Sequence, residues 1–451
     1  MKFSITLPVA FAAIASAFVI PDTYKDASTE APLLTTTTAA EHVIADSYII
    51  VFKKHVDAAA ASTHHSWVRS VHDNSMKKRG LESPFLASGI EHGLKHVYDL
   101  TESFKGYSGR FEASTIEQIR KNPDVLYVER DSMVFATELA TEGNAPWGLA
   151  RVSHRPALNF GTFNKYLFDA EGGAGVTAYV IDTGINTEHV DFEGRALWGK
   201  TIPGGDVDAD GNGHGTHCSG TVAGKKYGVA KKAHVVAVKV LKSNGSGSMS
   251  DVIKGVEFAV ESHLAEVKAA KKGFKGSVAN MSLGGGKSPA LDMAVNAAVD
   301  AGMHFAVAAG NDNADACSYS PASAEKAVTV GASTLGDERA YFSNYGKCVD
   351  VFGPGLNIQS TWIGSPYALN TISGTSMASP HVCGLLAYFV SLYPASDSEF
   401  AAGVLTPAKL KENLIAYSSP DLLSGIPEGT PNLLVFNGAG ASLNEFWNAS
   451  K

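Results

Sequence analysis

Cysteine is scarce. The 451 residues contain four, too few for a fold held by a disulfide framework, though enough for one bridge or two. Positive charge is also short: Lys and Arg number 37 against 45 Asp and Glu, a formal net charge of -8. Such a surface has little to offer nucleic acid or an anionic membrane. Beyond the N-terminus no apolar run is long enough to span a bilayer, so membrane insertion is not expected. Glycine is what the chain has in quantity. Its 45 copies signal many tight turns and close backbone approaches. At 45% hydrophobic and 18% charged the composition is globular, and the length suits two or three domains.

The N-terminus, MKFSITLPVAFAAIASAFVIPD, has the form of a secretory signal peptide over residues 1–17. Lys2 supplies the positive region, an apolar core follows, and Ala15-Ser16-Ala17 fits the cleavage site. The secretory route permits disulfides. Cys317 and Cys348 sit in polar loop settings and are expected to pair. Cys218 and Cys383 sit in apolar helical settings and read as buried thiols. Residues 18–46, rich in Thr, Ala and acidic groups without periodicity, read as a flexible linker. From Ser47 the pattern changes. SYIIVFK, FKGYSGRFE and VLYVER are strand candidates, ASTHHSWVRSVH is helix-like, and STIEQIRKNPDV is an amphipathic helix with Ile116 and Ile119 inward. A β-α-β-β-α-β order over residues 47–136 points to a small α+β, ferredoxin-like domain.

After a polar stretch at 137–144, VTAYVID, HVVAVKVL, SVANMSL, HFAVAAG and AVTVGAS are nearly continuous apolar runs alternating with helical segments. That is the mark of an α/β fold with a doubly wound, mostly parallel sheet covered on both faces. Ligands of such sheets lie at the carboxyl ends of the strands, so the residues after these runs carry the chemistry. Asp182 follows VTAYVI. His214 stands at a loop-to-helix junction in GNGHGTHCSGTVAG, where Gly213 and Gly215 leave room for an imidazole. Ser376 opens the helix of SGTSMASPHVCGLLAYF, where the dipole favours developing negative charge. Asp, His, Ser is one of the known orders of the acid–base–nucleophile triad, and a serine hydroxyl needs such a base to attack. Asn311, closing HFAVAAGN, offers an amide that can join the Ser376 N–H in an oxyanion hole.

The alternatives fit less well. Zinc on His214, His217 and Cys218 lacks a second ligand cluster. An α/β-hydrolase needs Ser before Asp before His and a G-x-S-x-G elbow, whereas Ala378 stands where the last glycine belongs. A degenerate, non-catalytic binding protein would not keep all four positions filled. Asp206, Asp208 and Asp210 alternate as in an EF-hand, but the closing Glu of that motif is missing.

The stretches VIDTGI, GHGTHCSGTVAG, VANMSLGGG, AVAAGN and SGTSMASPHV resemble the subtilisin-like serine proteases, or subtilases. APWGLARVSHR, DERAYFSNYGKCVDVFGPG and STWIGS are similar to the proteinase K and cerevisin (fungal vacuolar proteinase B) branch. The resemblance covers residues 145–435, with 436–451 left as a C-terminal tail. It implies a serine endopeptidase of broad specificity, made as a preproenzyme. Residues 47–136 would be its inhibitory propeptide, cut off autocatalytically within 137–144. Asn244, Gly245, Ser246 and Gly247 would pair with the substrate backbone as an added strand. Ser282, Leu283, Gly284, Gly285 and Gly286 would form the other wall. Ala308, Ala309 and Gly310 would line a P1 pocket roomy enough for a large apolar or aromatic side chain.

The resemblance also implies a structural calcium on Asp350 and the carbonyls of Glu325 and Ala327, with no cofactor needed for chemistry. Expected partners are peptide and protein substrates and the enzyme's own propeptide, with neither nucleic acid nor membrane, and the enzyme is expected to be a monomer. Its address would be the vacuole lumen or the cell exterior. Of three N-x-S sequons, at Asn244, Asn280 and Asn448, only Asn448, in the polar tail, is the expected glycan site.

Overall fold

The computed structural model describes residues 30–34, 43–79, 93–99, 104–132, 140–269, 273–393, 405–441 and 443–449. The signal peptide expected at 1–17 lies outside them. The chain divides into two compact units, taken in turn.

In the first unit a five-stranded sheet has the order β1-β5-β2-β4-β3. Its strands are β1 (Leu33–Leu34), β2 (Val43–Phe52), β3 (Gly93–Asp99), β4 (Lys105–Arg110) and β5 (Val125–Ser132). Helices α1 (Ala58–Arg79) and α2 (Ala113–Arg120) join the same core. Tyr48, Ile50 and Phe52 alternate inward along β2 and meet Val68, Tyr107, Phe111, Ile116 and Ile119 there, as period-two and period-3.6 patterning requires. The linker expected over 18–46 is partly sheet. Leu33–Leu34 pair with β5 in parallel, and the Ala31 N–H donates to the Arg120 carbonyl at 2.6 Å. Two residues are too few to show a period.

The second unit begins with β6 (Ala140–Gly143), which pairs antiparallel with β7 (Lys165–Phe168) across α3 (Trp147–Val152). Glu142 holds Lys226 and Lys231, each at 2.7 Å, so the last part of the expected processing junction is built into this unit. The strands that follow are β8 (Val176–Asp182), β9 (Ala196–Thr201), β10 (His234–Lys239), β11 (Gly276–Met281), β12 (Gly285–Gly286), β13 (His304–Ala308) and β14 (Tyr319–Ser320). After them come β15 (Val328–Ser333), β16 (Val351–Pro354), β17 (Ile358–Thr361), β18 (Leu369–Ile372), β19 (Ser419–Pro420) and β20 (Leu433–Leu434). Nine of them form one sheet, β19-β20-β16-β15-β13-β11-β8-β10-β9, parallel throughout except for the β19·β20 edge.

The continuous apolar runs are explained by burial on both faces. Ala178 and Val180 of β8 face one core with α4 (His214–Ala223) and α7 (Thr375–Leu392). Tyr179 and Ile181 face the other, with α5 (Met249–Lys268) and α6 (Pro289–Asp300). Helix α8 (Pro407–Tyr417) and the short α9 (Leu443–Trp447) complete the unit. The residues expected to form a tail after 435 do not stand apart. Phe446 of α9 is fully buried and stacks on Phe389 of α7 with ring centroids 3.7 Å apart, which places the aromatic end of the chain inside the core.

Candidate active site

β8 is the strand from which the sheet is wound in both directions, towards β10 on one side and β11 on the other. A crevice opens at the carboxyl end of such a strand, and Asp182 is its last residue, fully buried. His214 opens α4, and its Nδ1 lies 2.8 and 2.9 Å from the two Asp182 oxygens. Asp182 Oδ1 also accepts from the Thr183 N–H at 2.7 Å. Burial pulls the imidazole pKa down, but the charge and hydrogen bond of Asp182, with the further charge of Asp210, outweigh it and leave it raised.

Asp210 is the organiser that sequence reading missed, because the GGDVDADGNG loop was tested there only as a calcium motif. One oxygen accepts from Thr183 Oγ1 and the N–H groups of Asn212 and Gly213; the other accepts from the Thr216 N–H and hydroxyl. The visible signal was an acid four residues before His214, at a helix start. The flanking glycines serve backbone packing rather than room for the ring. A Cβ on Gly213, whose φ is +100°, would meet the Trp362 ring at 2.6 Å, and one on Gly215 would meet the Gly184 carbonyl oxygen at 2.2 Å. His217 turns away to the Ile358 carbonyl at 2.9 Å, and burial lowers its pKa to about 4. Behind the site Cys218 Sγ lies 3.4 Å from the Ser376 carbonyl oxygen. It forms a cluster with Asp182 and His214 whose ligating atoms all lie within 4.8 Å.

Ser376 is the second residue of α7, after Gly374 and Thr375. None of the neighbouring hydroxyls caps this helix; each has another task. Ser373 Oγ accepts from the Asn357 N–H. Thr375 Oγ1 accepts from the Gly310 N–H and donates to Asn311 Oδ1. Ser379 Oγ donates to Asn280 Oδ1, Asn280 Nδ2 to Ser282 Oγ, and Ser282 Oγ to the Ser376 carbonyl at 2.7 Å. That carbonyl is free because Pro380, four residues on, has no N–H to give it. The Pro in SMASP thus opens the helix ladder at the serine, and Ser282 and Cys218 fill the gap. The Ser376 hydroxyl itself donates to the Ser282 carbonyl at 3.1 Å rather than to His214.

Asn311 follows β13. Its Oδ1 accepts from both the Thr375 N–H, at 2.8 Å, and the Thr375 hydroxyl, at 2.9 Å. This fixes the amide so that Nδ2 points away from Thr375, and Gly374 keeps its neighbourhood clear. A cleft of about 450 Å³ brings His214 together with Gly245, Ser246 and Gly247 on one side and Ser282, Leu283, Gly284 and Gly285 on the other. Leu241, Met249 and Val252 add an apolar floor. Asn244 stands outside it, its Oδ1 taken by the Ser246 N–H and hydroxyl. Gly286 pairs with Tyr319. Ala308 and Ala309 are buried, and Gly310, at φ +103°, could not carry a Cβ against Asn344 Nδ2 at 2.3 Å.

Cys317 and Cys348 are bonded to each other, and Cys218 and Cys383 are free and buried. Asn280 is fully buried, whereas Asn448 is exposed just past α9. The oxygens expected to hold calcium do converge, but on a lysine seated among them. The ammonium of Lys411 already binds the Glu325 carbonyl, the Ala327 carbonyl and Asp350 Oδ2, at 2.8, 2.6 and 2.8 Å.

A model of the subtilase family matches residues 173–433, and one of peptidase inhibitor I9 matches 47–137. Subtilisin-like serine protease Pen c 2 of Penicillium citrinum is 66% identical over 91% of this chain and 92% of its own length. Alkaline protease 2 of Aspergillus fumigatus is 62% identical over 98% and 90%. The crystal structure of a cold-adapted subtilisin-like serine proteinase superposes with a TM-score of 0.57 at 43% identity, covering 65% of this chain and 99% of that one. The chain therefore belongs to the subtilase family of serine endopeptidases, with an I9-type inhibitor domain ahead of its catalytic unit.

Proposed function

We propose that this enzyme is a broad-specificity endopeptidase in which Ser376 is the nucleophile, His214 the general base and Asp182 its orienting acid. The observation that carries the reading is the buried Asp182 gripping His214 Nδ1 with both oxygens, beside a serine at a helix start, where the first N–H groups have no intrahelical partner. A χ1 rotation takes the Ser376 hydroxyl from the Ser282 carbonyl to His214, consistent with the loose geometry of unliganded sites. Ser376 Oγ then attacks the scissile carbonyl carbon and its proton passes to His214. The oxyanion is held by Asn311 Nδ2 and the Ser376 N–H. His214 returns the proton to the leaving amine as the C–N bond breaks, and water releases the acyl group.

Substrates pair by their backbone with Gly245 to Gly247 and Ser282 to Gly284, a mode that makes few sequence demands. The apolar floor favours large apolar or aromatic side chains. The enzyme matures by cutting itself, and the cut falls ahead of Ala140, because β6 and the Glu142 ion pairs belong to the catalytic unit. It acts as a monomer, in the vacuole lumen or outside the cell. The test is Ser376→Ala in a host lacking other proteases. The expected result is no peptide hydrolysis, no fluorophosphonate labelling and an uncut precursor; a variant that still matured would refute self-cleavage.

A further inference from the structure

Lys411 lies one turn into α8, and its ammonium uses all three of its donors on oxygen: two backbone carbonyls and one carboxylate, at 2.6–2.8 Å. The carbonyls belong to the turn ahead of β15 and Asp350 immediately precedes β16. The cage therefore ties a late helix to the amino ends of two central strands, across the sheet from the catalytic residues. Both side chains are largely shielded, 17% and 20% exposed. Asp350 Oδ2 has one further donor, the Thr329 N–H at 2.8 Å. Burial raises the Asp350 carboxyl, and Lys411 is the main force pulling it back.

Two carbonyls and a carboxylate form a hard, all-oxygen donor set of the kind that suits Ca²⁺. Calcium–oxygen distances are only a few tenths of an ångström shorter than these N–O distances. A lysine cation and a calcium ion are thus rivals for one cage, and here the lysine is tethered to it. We propose that Lys411 is a built-in replacement for a divalent cation, that it makes this part of the enzyme independent of calcium, and that removing its side chain uncovers a latent calcium site on Asp350, Glu325 and Ala327.

The test compares mature wild type with Lys411→Ala and Lys411→Met, each blocked with a sulfonyl fluoride so that autolysis does not intrude. Apparent Tm is read at one scan rate in EDTA, in 10 mM CaCl₂ and in 10 mM MgCl₂. Lys411→Ala should lose about 5 °C in EDTA and regain half or more of it in calcium. Magnesium should do little, because it parts reluctantly with its water. Lys411→Met should lose as much and regain nothing, because its side chain still fills the cage. Unblocked, both variants should keep wild-type kcat.

A Lys411→Ala variant as stable as wild type in EDTA would overturn the proposal. So would a destabilised one that calcium lifts no more than it lifts wild type. If Lys411→Ala folds only when expressed with calcium, the proposal stands. If it folds in neither condition, Lys411→Gln decides: a calcium-dependent gain beyond that of wild type supports the proposal, and none overturns it.

Discussion

Asn311 holds two tasks that a pair of substitutions can separate. In the proposed mechanism its Nδ2 donates to the oxyanion, while its Oδ1 holds both the N–H and the hydroxyl of buried Thr375, at 2.8 and 2.9 Å. Asn311→Ala removes both functions. Loss of the donor should lower kcat by roughly 10²- to 10³-fold with KM little changed, the effect known for the corresponding donor in subtilisin itself. Loss of the acceptor strands buried donors at the start of α7, at about 1–3 kcal/mol, or roughly 2–8 °C in Tm for a domain of this size. Asn311→Asp keeps the acceptor and replaces the donor with a negative oxygen facing the oxyanion. It should therefore be at least as slow as the alanine variant and yet melt near wild type. The assay is kcat and KM on a chromogenic peptide amide with titrated enzyme, alongside calorimetric Tm. A raised KM with unchanged kcat would move Asn311 to substrate binding. Equal Tm losses in both variants would refute the Thr375 anchor.

Because burial is outweighed by Asp182 and Asp210, kcat/KM should rise with pH through a midpoint above the ordinary histidine value of ~6.5. The base must be neutral to accept the serine proton. Asp210→Asn should shift that limb to lower pH, and a profile flat from pH 5 to 9 would contradict the assignment of His214. Cys218, fully buried with its pKa raised by burial and then by Asp182, should react slowly with a mercurial and, once modified, displace His214 and stop catalysis. Cys218→Ala should keep most activity and become indifferent to mercury, as a rate assay with and without the mercurial will show. Phe446→Ala should cost about 3–5 kcal/mol by leaving a cavity against Phe389; a denaturant midpoint like that of wild type would mean the last helix contributes nothing to the core.

What sequence reading reached, and what it did not, follows from how each feature is encoded. Asp182, His214, Asn311 and Ser376 were legible because each directly follows an apolar run or opens a helix, and the fold itself brings such positions together. Ile116 and Ile119 were legible because helical periodicity marks a buried face. Lys411 was not. Its partners lie 86 and 84 residues away for the carbonyls, and backbone oxygens look the same at every position of a sequence. Asp210 was hidden by a competing pattern in its own loop. β9 escaped because an edge strand half open to solvent mixes Leu197 and Trp198 with Lys200 and shows no clean alternation. Phe446 escaped because the polar residues around it gave the segment the look of a tail.

The order of the strands also sets a timetable. The five strands of the inhibitor unit are all made once Ser132 has been added. The large sheet must wait for Leu433–Leu434, and its core for Phe446. At about 5–20 residues per second, the ribosome leaves an interval of roughly 15–60 s in which the inhibitor domain can fold while the protease cannot. Whatever the two units do to each other later, the large sheet cannot be completed before every strand of the inhibitor unit has been made on the same chain.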